Sequence, residues 1–194
     1  MALNIIFECP DARPDASPDA MWELQHKLDA CAQELFGPRN SSKQLYQPKF
    51  VDGGPNVRNT PALDGGFAEL SMSAAGNWPA AIYELAHETI HLLDPRPSYP
   101  IGKGASWLEE GLAVNFSLRV SRELAGHNIK VSQKKYQIAN GLICRLGGGV
   151  FESLKVIRHR SGHFSDATVL DILAVVPGTP VHVAKKLSLS FYDS

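Results

Sequence analysis

No apolar run in this chain is long enough to cross a bilayer, no stretch concentrates Lys and Arg, and only three cysteines occur in 194 residues. Each absence removes a class of protein. A transmembrane helix needs roughly 20 consecutive, mostly apolar residues, so no membrane partner is expected. Lys and Arg number 19 against 20 Asp and Glu, a formal net charge of −1. That balance leaves no electrostatic footprint for nucleic acid or an anionic surface. Cys9, Cys31 and Cys144 are odd in number and far apart, with no CxxC pair. They read as ordinary thiols in a reducing compartment, not a disulfide frame or a zinc knuckle. The opening "MALNIIFECPDARPD" has neither a charged n-region nor a long apolar h-region, so no signal peptide is expected. Cytoplasmic location is the default, with leaderless export the alternative. What is present, 44% hydrophobic and 20% charged residues, suits a single soluble domain able to bury a core.

Strand signals cluster in the first 75 residues and helix signals dominate afterwards, which predicts an α+β chain. "LNIIFE" (3–8) reads as a first strand. Ser17 and Pro18 then open a helix whose apolar residues Met21, Leu24, Leu28, Cys31 and Leu35 keep helical spacing, and Gly37-Pro38 closes it. "LYQPKFV" (45–51) reads as a strand placed by Pro48 at an edge or bulge. The Gly/Pro/Asn-rich 52–66 reads as a loop, and the alternation in "FAELSMS" (67–73) as a half-buried edge strand able to pair with an extended peptide. Asn77 can cap a helix from about Trp78 to Leu93, which Asp94-Pro95 ends. After a loop at 95–105, helices are expected from Ser106 to about Leu124 and at 132–146, 149–160, 166–175 and 180–188. The expected organisation is an α+β subdomain, 1–94, followed by a helical one, 95–194, in one compact unit.

The chemistry concentrates in "LAHETIHLLDP" (85–95). On a helix, residues four apart share a face, so His87 and His91 can aim imidazole nitrogens at one point. Glu88 lies about 100° further round, beside that point without being a ligand, where it can take a proton from a bound water. This is the HExxH arrangement, and Zn2+, tetrahedral and content with neutral imidazole, suits it. A histidine pair alone is commonly a coincidence. Here Ile82, Leu85, Ala86, Ile90, Leu92 and Leu93 make the helix largely buried, and burying His-Glu-His without a partner is costly. A third ligand is available. Eighteen residues separate His91 from Glu110 in "SWLEEGLAVNFS", room for a loop and a returning helix. Glu110 can complete a His₂Glu set with one open position, and Glu109 offers a carboxylate to orient an imidazole N–H.

HETIH, 18 residues, then Glu110 inside "WLEEGLA" resembles the gluzincin zinc metallopeptidases, in particular the catalytic domain of the M1 family of aminopeptidases in compact form. The resemblance spans roughly residues 66–175 and implies a thermolysin-like fold, with an active-site helix under a small mixed sheet and an all-helical C-terminal lobe. It makes His87, His91 and Glu110 the ligands of one Zn2+, Glu88 the general base and acid, and a peptide or protein the substrate. Glu109 stands where the family usually has Asn. "YQIANGLICRLGGGVFESLKVIRHRSGHFSDATVLDIL" (136–173) resembles the region that carries the family's oxyanion-stabilising tyrosine, a role Tyr136 inherits, although Q-I-A follows it instead of E-K-G. His159 and His163 in "RHRSGH" compete for that role against a solvated surface reading. Glu69 in "GGFAELSMS" only loosely matches the strand that holds a substrate amine, so aminopeptidase specificity is not expected. His26, His127 and His182 read as ordinary. Two rivals stay open: a gluzincin-like metal-binding or interaction protein without catalysis, and a metal-free helical interaction protein.

Overall fold

The five apolar residues spaced along the first helix are all buried, on α1, Pro18–Phe36. Gly37, at φ 96°, ends α1 in a conformation that side chains disfavour. Arg158 closes that end by donating to the carbonyls of Phe36 (3.1 Å) and Gly37 (2.8 Å), which have no partner within the helix. The structure, a computed structural model, describes residues 3–96, 104–147 and 149–192. Most of the 95–105 loop expected from the sequence therefore lies outside the described residues. Among these residues no helix is long and apolar enough to cross a membrane.

The chain divides into two compact units, Met1–Gln33 with Pro38–Pro95 and Phe116–Lys130, and Glu34–Gly37 with Arg96–Asn115 and Val131–Ser194. The long helix α3, Trp107–Ala125, is continuous across that division.

The first unit holds a four-stranded sheet of β1 (Gln44–Leu45), β2 (Lys49–Val51), β3 (Asn56–Asn59) and β4 (Gly65–Ser71). β1 and β2 run parallel to β4, and β3 runs antiparallel to it. Gly66 pairs with both Leu45 and Asn59, and Glu69 with both Lys49 and Asn56, so β4 is bonded on both sides and is the central strand. That corrects three sequence expectations. β4 has no free edge for an added peptide. The segment 52–66 is not simply a loop, because 56–59 supplies a strand. Residues 3–8 form no strand, although their burial alternates. Their backbone is held by side chains instead: Leu3 N–H donates to Glu123 (2.6 Å), Lys27 donates to the Ile6 carbonyl (2.6 Å), and the Phe7 ring lies against Trp78. The period was right and the partner was not a strand. Pro48 falls between β1 and β2, where its missing N–H interrupts the ladder.

α2, Trp78–Leu92, packs on this sheet. Asn77 caps it, accepting from Ala80 N–H at 3.2 Å. Glu84 accepts from the N–H (2.8 Å) and hydroxyl (2.6 Å) of Ser71, tying the end of β4 to the helix. Gln25 donates to the Thr89 hydroxyl (2.9 Å), which in turn donates to the Leu85 carbonyl (2.7 Å), a buried link from α1. At the far end Asn40 bonds both Leu93 O (2.8 Å) and Asp94 (2.9 Å). A Cβ on Gly66 would meet Arg58 O, Pro95 and Leu92 at 3.1–3.3 Å, so the closeness of strand to helix requires a residue without a side chain. The helix is fixed at both ends.

The second unit holds the first half of α3 with α4 (Lys134–Ile143), α5 (Val150–Ser161), α6 (Val169–Val175) and α7 (Val181–Leu187). These lie where hydrophobic periodicity predicts helices. Phe36, Phe151 and Phe164 meet edge to face in its core. On α6, Thr168 and Asp171 form a reciprocal capping box. The overall class is α+β, with a small mixed sheet and seven α-helices among the described residues.

Candidate metal centre

Helix α2 carries His87 and Glu88, both buried, and His91, half-buried. Ala81, Ile82, Leu85, Ala86 and Ile90 bury the rest of its surface, so the polar triplet is held on a helix that cannot easily rotate. The two imidazole rings are 5.3 Å apart, as i, i+4 spacing dictates. Helix α3 brings Glu110 on its first turn, at 1% exposure.

Its position follows from local sequence. The Ser106 hydroxyl accepts from Glu109 N–H (3.2 Å) and caps α3. One residue past Glu110, a Cβ on Gly111 would come within 2.6 Å of the Ala139 carbonyl and of Ile143. The glycine of "WLEEGLA" therefore lets α3 lie directly on α4, and nothing larger fits.

His87, His91 and Glu110 each present one ligand atom, and the three atoms lie within 4.8 Å of one another. A tetrahedral zinc with bonds of about 2.0–2.2 Å spaces its ligand atoms about 3.4 Å apart. At most about 1.4 Å separates each pair from that geometry, a change within reach of side-chain rotation. Two imidazoles and one carboxylate also match the ligand chemistry of zinc. The donor set fits. Glu88 stands outside the set, one residue after His87, in keeping with a base rather than a ligand.

The other expected residues are placed as follows. Tyr136 is half-buried on the first turn of α4, with its ring 5.0 Å from that of Phe191. Glu69 is on β4 and is paired with Arg58 at 3.1 Å. Glu109 is buried, and its carboxylate accepts from the Ser165 hydroxyl in the 3₁₀ turn Phe164–Asp166. Ser165 Oγ also accepts from Ser106 N–H at 2.8 Å. His163 is 4% exposed, which corrects the solvated reading of "RHRSGH". Its Nδ1 accepts from Ser165 N–H at 2.9 Å, so that nitrogen carries no proton, and its 3.8 Å approach to Glu109 is proximity rather than an ion pair. His159 is exposed, as are His26, His127 and His182. The three cysteines are free thiols, Cys31 buried and Cys9 and Cys144 exposed.

Sequence reasoning missed one residue at this site. The Tyr192 hydroxyl donates to Glu110 Oε1 at 3.1 Å. No periodicity or motif in "LSLSFYDS" points to it, because the contact closes across 82 residues of chain. No protein-family model, curated protein or solved structure is matched by the chain.

Proposed function

We propose that the chain is a zinc-dependent peptidase of gluzincin type, with His87, His91 and Glu110 holding one Zn2+ and Glu88 as the general base. The observation that carries this is the convergence of two imidazoles and a carboxylate from residues 18 positions apart in sequence, in the order the motif requires. A purely structural zinc would normally have four protein ligands. A three-donor set with an adjacent buried glutamate is the arrangement of a hydrolytic site.

A zinc ion held there supplies Lewis acidity, which acidifies a water and polarises the scissile carbonyl. Glu88 takes one proton from that water as its oxygen bonds to the carbonyl carbon. Glu88 then gives the proton to the amide nitrogen as the C–N bond breaks, leaving a carboxylate and an amine. Burial of Glu88 suits both roles, because it excludes bulk water from the proton's path. Tyr136 is the proposed hydrogen-bond donor to the oxyanion, on the strength of the sequence resemblance.

The test is cleavage of a mixed peptide library by zinc-loaded wild type beside Glu88→Gln. The variant should keep its zinc and lose turnover by about 10²–10⁴-fold, the usual worth of a positioned base. Hydrolysis at the wild-type rate by Glu88→Gln would reject the assignment.

A further inference from the structure

Resting on the zinc site just proposed, we infer that Tyr192 is a positioning residue of that site, holding the Glu110 carboxylate in the rotation that presents an oxygen to the metal. The segment that carries it is anchored independently of any ligand. Trp107 N–H donates to Leu189 O (3.0 Å) and Phe191 N–H to Ala105 O (2.9 Å), on either side of the antiparallel bridge Ser106–Ser190. Phe191 is 2% exposed, edge-on to Trp107 at 4.8 Å and against Tyr136. Successive side chains of an extended segment point to opposite faces. With Phe191 committed to the core, residue 192 is turned the other way, and its hydroxyl reaches Glu110.

Packing does not explain a tyrosine there. Its ring is 58% exposed, so burial of the ring contributes little, whereas its tip bonds a carboxylate at 1% exposure. The ring edge lies along Gly104, where an added Cβ would come within 3.2 Å of Tyr192 Cδ2. A chain with φ 36° and no side chain at that point leaves the ring room to lie as it does. The terminal torsion of a glutamate is broad and two-fold, and a phenol O–H bonded to a carboxylate is a strong restraint on it. Outer partners of this kind are commonly worth 10–100-fold in metal affinity.

Tyr192→Phe keeps the ring and removes only the hydroxyl. Three readouts decide the question: the melting temperature of metal-free protein, the Zn2+ Kd from competition with a chromophoric chelator, and the visible spectrum of the Co2+ form. The expected result is an unchanged metal-free Tm, a Zn2+ Kd weakened by about tenfold, and a shifted Co2+ band. Wild-type Kd and an unaltered Co2+ spectrum in the variant overturn the proposal. So does a lowered Tm with Kd unchanged, which leaves Tyr192 a packing role only. If wild type binds no Zn2+, the zinc reading itself fails; if wild type binds and Tyr192→Phe binds equally, only the role of Tyr192 fails.

Discussion

Two histidine pairs four residues apart occur in this chain, His87/His91 on α2 and His159/His163 at the end of α5, and they end in opposite environments. The spacing puts two imidazoles on one face only where helix runs through all five residues. α2 does so without a break, from the Asn77 cap to Leu92. α5 stops at Ser161, and Gly162 turns the chain with φ 79°. His159 is left on the exposed face, while His163 is carried inward to accept from Ser165 N–H at the start of the 3₁₀ turn. The first pair converges with Glu110. The second is divided between solvent and a buried network of Ser106, Glu109 and Ser165. A shared spacing gives a candidate site in one place and a local cap in the other, and the glycine between the second pair makes the difference.

If His163 is a structural acceptor, His163→Ala leaves Ser165 N–H buried without its partner. Stability should fall by about 1–3 kcal/mol, read from urea unfolding, with zinc content unaffected. Loss of zinc in that variant would place His163 with the metal group and erase the contrast. A smaller, pH-dependent effect is expected at Asp171, which caps α6 and lies 3.7 Å from Arg160 beside His159. The Thr168 hydroxyl, with Thr168 N–H, holds the Asp171 carboxyl below its usual range. A carboxyl lowered on folding contributes stability above its unfolded pKa and loses it as pH falls through the folded one. The Tm gap between wild type and Asp171→Asn should therefore be widest near neutrality and close in acid; a gap that widens on acidification would contradict the cap. The smallest effect belongs to His159→Ala, which should leave both Tm and zinc content unchanged, as an exposed side chain away from caps and pairs does.

The two pairs also mark how far the sequence could be read. The helices carrying Met21, Leu24 and Leu28, or His87 and His91, were legible because their periodicity is local and long. Glu110 was legible because 18 residues and a helix start constrain where the chain returns. Partners that pair across distance were not. Alternation in residues 3–8 described burial correctly but could not tell a sheet ladder from bonds to Lys27 and Glu123. The same alternation in β4 could not show that 56–59 would cover its second edge. His163 looked solvated because Arg158, His159 and Arg160 surround it in sequence. In the fold, Arg158 turns inward to cap α1, and His163 follows Gly162 into the core. Tyr192 reaches Glu110 from a segment held only by a two-residue bridge, with no periodic pattern to announce it.

The zinc content of purified wild type, His91→Ala and His163→Ala, each loaded and desalted in parallel, tests the central claim most directly. The account predicts one zinc per chain in wild type and in His163→Ala, and none retained by His91→Ala. A wild type without zinc, or a His91→Ala protein that keeps it, would contradict the site.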